Sequence, residues 1–301
     1  MRLLLALLAL PAFGAVHVVV SQDGKGDFKT IQQAIDHAPL YGSDRLVIEI
    51  RPGSYHERVM VPQDRPRVTF RGQNAATTVI TYSMSATAAG GTFFSSIVHI
   101  EADEFEAENI SFENSYGVGS QAVAISVQSD RAYFRKCRFL GWQDTVYANR
   151  GRQYYKDCYI AGHVDFIFGN ATAVFDDCEI HSLGAGYITA HSRLTADGPS
   201  GYVFYHCDLT GENTGKGVFL GRPWRPYARV VYLDCNLGAH IRPEGWDNWR
   251  SEANEKTAWY AEYNSKGPGA KAAKRVPWVK TLTADQAKVF EPAEFLQGWK
   301  P

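Results

Sequence analysis

Two aspartates each follow a cysteine by seven residues: Asp144, in GWQDTVY, follows Cys137, and Asp165, in HVDFIFGNA, follows Cys158. Asp165 stands in apolar company, between Val164 and Phe166 with Ile167 and Phe168 beyond. A lone charge buried there would cost several kcal/mol or more, so a partner must neutralise it or hold a proton beside it. If the shared offset means a shared slot in consecutive layers of a stacked fold, the two carboxyls are neighbours about 4.7–4.9 Å apart along the stack. Two carboxyls that close cannot both ionise cheaply; one pKa rises and the pair titrates as a unit. Such a pair keeps an anion and an acid together at neutral pH, as nucleophilic attack followed by protonation of a leaving group requires. Stacked Asp can also serve as turn formers or as a calcium ladder. Turn-forming Asp, however, ordinarily sits among Gly, Asn and Ser rather than in DFIFG.

A repeat would supply the layers. The cysteines at 137, 158, 178, 207 and 235 share a setting: an aromatic three residues before (Phe134, Tyr155, Phe175, Phe204, Tyr232) and an apolar residue two after (Phe139, Ile160, Ile180, Leu209, Leu237). An earlier, weaker unit has Ile110 in the cysteine slot, and the intervals are then 27, 21, 20, 29 and 28 residues. Each unit is a set of short β-rich runs parted by Gly, Asn or Asp turns, and no helical period intervenes. Units this short cannot bury an apolar face alone and must stack. The expectation is an all-β chain folded as a single right-handed parallel β-helix over residues 16–301, with a β-sandwich as the competing architecture. The aromatics Phe134, Phe175 and Phe204 are expected inside the coil. TIQQAIDHA carries a capping box at Thr30 and Gln33 with Ile31, Ile35 and Ala38 on one face, which predicts a helix over the N-terminal coil. TADQAKVFEPAEF repeats the signal at Thr283 and Gln286 and predicts a helical and loop segment covering the other end.

Composition agrees with a folded domain: 45% of residues are apolar and 21% charged, both ordinary values. The formal charge of −1 gives no reason to expect nucleic acid or an anionic membrane surface as partner. Residues 1–15, MRLLLALLALPAFGA, read as a secretory signal peptide, with Arg2 ahead of the run Leu3 to Leu10 and small residues at the cleavage region. Loss of Arg2 leaves 30 basic against 32 acidic residues, and the mature chain is expected outside the cytoplasm, secreted or periplasmic. No later apolar run reaches the roughly 18 residues of a membrane span.

The stretches GWQDTVY, HVDFIFGNA and FLGRPWRPYARVV, together with VSQDGKGDFKTIQQAID, RPGSYHERVMVP and IRPEGWDNW, closely resemble the pectin methylesterases, a family of carbohydrate esterases built on a parallel β-helix. The resemblance spans nearly the whole chain after residue 15. No inhibitor-like region precedes the catalytic part in this sequence, which resembles the bacterial arrangement. The implied activity is hydrolysis of C6 methyl esters of homogalacturonan to pectate and methanol, without cofactor or metal, by a monomer. Asp165 matches the nucleophile and Asp144 the general acid, then base. Gln121 and Gln143 match the amides that stabilise the oxyanion, and Arg222 the guanidinium that forks onto the nucleophile. Trp224, Phe168, Val164 and, more weakly, Tyr147 match substrate-binding positions. His163, two residues before Asp165, reads as a rim residue because the family carries other residues there. Some bacterial relatives join the pair equivalent to Cys158 and Cys178; a bridge and a column of free thiols both stay open.

Two rival functions use the same acids. A β-helix glycoside hydrolase also places carboxylates close together, but its accompanying His-Gly and Arg-Ile-Lys motifs are missing from this sequence, whereas the Gln and Arg-Pro-Trp partners are present. A non-catalytic polysaccharide-binding solenoid would carry stacked acids as surface decoration.

Overall fold

The computed structural model describes residues 14–212, 217–270 and 274–301. The expected leader over 1–15 lies outside them except for Gly14 and Ala15, and Ala15 already opens the first strand, Ala15–Val20. Among the described residues no helix is long and apolar enough to cross a membrane.

Every strand pairing is parallel, and partners are a coil apart in sequence, the pattern of a parallel β-helix. One flank is an eleven-stranded sheet running from Ala15–Val20 to Lys280–Thr281. The other strands form two further flanks, joined where Tyr159–Gly169 and Glu179–His191 run continuously from one to the next.

The repeat seen in the sequence is the coil register. Phe134, Tyr155, Phe175, Phe204 and Tyr232 stack face to face inside the coil with centroids 4.5–4.8 Å apart, one strand spacing per step. Phe175, between Tyr155 and Phe204, has no exposed surface. Phe175→Ala is expected to cost about 3–5 kcal/mol, read as a lower urea midpoint. The residue before each cysteine (Lys136, Asp157, Asp177, His206, Asp234) has φ between 48° and 54°. Each coil therefore turns a corner there in the left-handed region, which Asp and Asn tolerate better than most residues.

Cys158 and Cys178 are free thiols, as are the other three, and all five are buried. Each of the two sulfurs points along the stack to a backbone carbonyl. Cys158 donates to Phe134 and Cys178 to Tyr155, at 3.6 and 3.3 Å, and Cys207 and Cys235 repeat the pattern. Burial pushes the Cys158 and Cys207 thiols well up, so they keep their protons.

The helix Ile31–Asp36 forms with the capping box at Thr30 and Gln33, and buries Ile31, Ala34 and Ile35. It packs against the strands Ala15–Val20, Arg45–Ile50 and Val59–Val61. Near the C-terminus Thr283 and Gln286 cap the short helix Ala284–Ala287, but this segment does not cover the end of the coil as expected. Ala287, Phe290, Phe295 and Leu296 pack on Val174, Val203 and Val231, the outward residues of the eleven-stranded sheet. Those outward valines would otherwise be an exposed apolar strip.

Candidate active site

The two acids are brought together by the register alone. Gln143 bridges Val164 in parallel, and Val146 and Tyr147 pair with Ile167 and Phe168. Asp144 therefore lies directly below Asp165, and its N–H donates to the Val164 carbonyl at 3.1 Å. The offset from the cysteines is thus structural. The inference that turn-forming Asp shuns such company needs correction, since Asp144 and Asp165 have φ of 66° and 49°. At Asp165 this reversal interrupts the alternation of the strand: Phe166 turns wholly inside while the carboxyl faces the cleft. Gly162 permits the bend, because a Cβ there would lie 2.2 Å from the Cβ of Phe166.

Arg222, on the strand Val218–Pro223, forks onto Asp165, with Nε on Oδ1 at 2.9 Å and Nη2 on Oδ2 at 2.6 Å. Its guanidinium lies 3.8 Å from the ring centres of both Tyr187 and Trp249, a sandwich that fixes its plane. Both acids are largely buried, at 8% exposed for Asp144 and 7% for Asp165. Burial, reinforced by the Asp165 charge, raises the Asp144 pKa well above the ordinary carboxylate value. Burial also raises that of Asp165, helped by Asp247, but the Arg222 fork and His163 oppose it. Asp165 is accordingly the member of the pair that ionises first, and Asp144 keeps the proton.

The pair opens into a cleft of about 300 Å³, lined also by Gln121, Gln143, Arg222, Phe168 and Trp224. Among the described residues neither glutamine amide is committed to a side-chain hydrogen bond, so both remain free to donate into the cleft. Phe168 is 4% exposed and forms part of the floor, stacked on Tyr147 at 4.7 Å. Two expected substrate-binding residues do not line this cleft. Tyr147 lies beneath Phe93, stacked on it at 4.8 Å, and burial pushes its hydroxyl up to about 12. Val164 pairs with Tyr187 one layer on and packs against Gly186, beside the cleft rather than in it. His163 sets its ring edge-on to Trp142 at 5.4 Å, outside the lining.

Thr92, Phe93, Ala190 and Trp249 line the cleft as well, and sequence reasoning gave them no role. Trp249 had one signal, its place in IRPEGWDNW; Phe93 and Thr92 come from the 83–97 loop, which follows no repeat. Among the described residues one group has metal-ligand geometry, Asp176, Asp177 and His206. It lies outside the cleft, and the Lys156 ammonium already bridges its two carboxylates.

A carboxylate held by a guanidinium, a protonated carboxyl one layer away and two free amide donors are the parts that acyl transfer needs. The comparisons with known proteins point the same way. The Pectinesterase family profile matches residues 17–299. Pectinesterase 31 of Arabidopsis thaliana is 46% identical over 290 residues, covering 93% of this chain and 92% of that one. A pectin methylesterase from carrot superposes with a TM-score of 0.91 at 35% identity, covering 93% of each chain. A pectin methylesterase crystallised in complex with a hexasaccharide gives 0.81 at 29% identity, covering 97% of this chain and 99% of that one. The Arabidopsis and carrot relatives are plant proteins, rather than the bacterial ones that the arrangement of the sequence suggested.

Proposed function

This chain belongs to the pectinesterase family and hydrolyses the methyl esters of pectin, and from that premise we propose that the reaction passes through an acyl-enzyme on Asp165. The observation that carries the reading is the asymmetry of the acid pair: Arg222 forks onto Asp165 at 2.6 and 2.9 Å, while Asp144 is buried with no such partner. Asp165, as the carboxylate, attacks the C6 carbonyl of a methylated galacturonate. The oxygen that becomes negative is met by the side-chain amides of Gln121 and Gln143, fixed donors of the kind that stabilise an oxyanion. The tetrahedral species collapses, the bond from C6 to the methoxy oxygen breaks, and Asp144 gives its proton to the departing methanol. Asp165 is then joined to C6 as an anhydride. Asp144, now anionic, takes a proton from water as that water attacks C6; Asp165 leaves as a carboxylate and Asp144 is again protonated.

Trp224, at the mouth of the cleft, offers an apolar plate to a sugar ring, with Phe168 below it. In the same reading the substrate is methyl-esterified homogalacturonan, the enzyme acts as a monomer because one chain supplies the whole cleft, and the leader exports it to the periplasm or the medium.

Hydroxylamine tests the covalent step. Added during turnover it is expected to attack the aspartyl carbonyl of the anhydride, inactivating the enzyme and leaving a hydroxamate on the peptide that contains Asp165. Full activity, an unmodified peptide and no hydroxamate at C6 of the product after turnover with hydroxylamine would reject the acyl-enzyme in favour of direct attack by water.

A further inference from the structure

Arg222 aims Asp165 only as well as its own plane is fixed, and the two rings that fix it are held in different ways. Tyr187 belongs to the strand Glu179–His191, pairs in register with Val164 and Phe219, and stacks on the Phe219 ring at 5.4 Å. Trp249 lies in a turn outside the strands, ahead of the helix Glu252–Thr257. Both it and Arg250 have left-handed backbone, at φ 56° and 57°. Two successive residues other than glycine do not settle in that region unaided; their neighbours must impose it.

Asp247 is placed to do so. Trp246 bridges Gly221 in parallel, and the Asp247 N–H donates to the Gly221 carbonyl at 3.1 Å, which puts Asp247 one layer beyond Arg222. Trp246 points into the coil, at 1% exposed, so the Asp247 side chain turns outward, to the face that carries Arg222. Its Oδ1 accepts the N–H of Trp249 at 2.7 Å, the turn that Asp makes with the backbone two residues on. Asn248 is anchored separately: its Nδ2 donates to Glu255 at 2.8 Å and its carbonyl accepts from Asn254 at 3.0 Å. Among the described residues no ion pair joins Asp247 to the guanidinium, so Asp165 keeps both arms of the fork. The Asp247 charge still reaches the site. Burial and then this charge raise the Asp165 carboxyl, against the Arg222 fork and His163. Asp144 and the buried Tyr260 are further titratable groups beside these carboxylates.

We propose that Asp247 is a positioning residue for the esterase reaction: it holds the Trp249 indole on the Arg222 guanidinium and thereby keeps the fork square on Asp165. The inference rests on the reading of Asp165 as the nucleophile. It gives Asp247 two separable effects. The turn made by Oδ1 sets how well Asp165 is aimed, which acts on kcat. The charge sets where Asp165 loses its proton, which acts on the acid limb of the pH profile. Asn keeps the first and removes the second, because its side-chain oxygen accepts the same N–H. Ala removes both.

The test reads kcat, KM and the pH profile of methanol release from highly methylated pectin. Asp247→Ala is expected to lose roughly 10–100-fold in kcat, with a smaller rise in KM, the scale of a misplaced reacting group. Asp247→Asn is expected to recover most of that kcat and to move the acid limb to lower pH, since a neighbouring negative charge no longer raises Asp165. Adding Asp247→Ala to Trp249→Ala is expected to cost no more than about threefold further, because the two losses share one route. Asn as impaired as Ala, an acid limb unmoved in Asn, or full multiplication of the two losses in the double variant overturns the proposal. So does an Asp247→Ala chain without a cooperative unfolding transition, which would make Asp247 a residue of the fold. The hydroxylamine experiment judges the acyl-enzyme on the unsubstituted protein, so a labelled Asp165 beside any of these results rejects the role of Asp247 alone.

Discussion

Asp165→Asn is expected to lower kcat for methanol release from highly methylated pectin by roughly 10⁴-fold or more, the scale of loss when a nucleophile is removed from a covalent mechanism. The amide keeps the volume and the left-handed backbone that Asp165 adopts at φ 49°, and Asn tolerates that region as well as Asp does. It cannot form the anhydride. Arg222 stays fixed by the rings of Tyr187 and Trp249, so the cleft should keep its shape. The variant is therefore expected to show the wild-type circular dichroism spectrum and one cooperative unfolding transition, and still to bind pectin. A variant with kcat within tenfold of wild type would remove Asp165 as nucleophile. A variant that fails to bind pectin would show that the carboxylate organises the cleft rather than reacting in it.

What spacing alone revealed about this site depended on one device, the cysteine register, while Gln121, Gln143, Arg222 and Trp224 came from the family resemblance. Because the same offset recurs after Cys137 and Cys158, the neighbouring positions of Asp144 and Asp165 followed from counting, and the coil supplied the contact. The aromatic stack from Phe134 to Tyr232 was legible for the same reason. Residues outside the repeat were not. Phe93 reaches the cleft from a loop inserted between the strands Thr78–Tyr82 and Val98–Ile100, whose path no periodicity predicts. Tyr187 holds Arg222 because it stands in the layer between Arg222 and Asp165, a placement visible only once the register shifts of the strand Glu179–His191 are known. The C-terminal helix was misplaced because its capping box marks where a helix starts, not which surface it covers. The outward valines 174, 203 and 231, apolar where an exposed flank would be polar, were the missing clue. The state of Cys158 and Cys178 was not legible either: thiols one layer apart satisfy the geometry of a bridge, and backbone carbonyls along the stack also offer each thiol a partner without oxidation.

Asp144→Asn should expose the other half of the mechanism through its pH dependence. In the wild type, activity needs Asp165 ionised and Asp144 protonated. The pKa values of both are raised by burial, that of Asp144 further because the Asp165 charge adds to it and only the more distant Arg222 opposes. The profile of kcat/KM is therefore bell-shaped, with Asp165 losing its proton on the acid limb and Asp144 losing its own on the alkaline limb, as macroscopic constants of the pair. Asn can neither protonate methanol nor activate water, so kcat is expected to fall roughly 10²–10⁴-fold, and the alkaline limb to vanish while the acid limb remains. Stability should move the opposite way. A carboxyl whose folded pKa lies above its unfolded value near 4 contributes stability that is complete below that value and lost as pH rises through the folded pKa. Removing Asp144 removes this loss, so the melting temperature of Asp144→Asn relative to wild type should climb as pH is raised from about 4 towards neutrality and beyond. An alkaline limb that survives in the variant, or a melting difference that stays flat with pH, would mean that the proton held at neutral pH sits elsewhere than on Asp144.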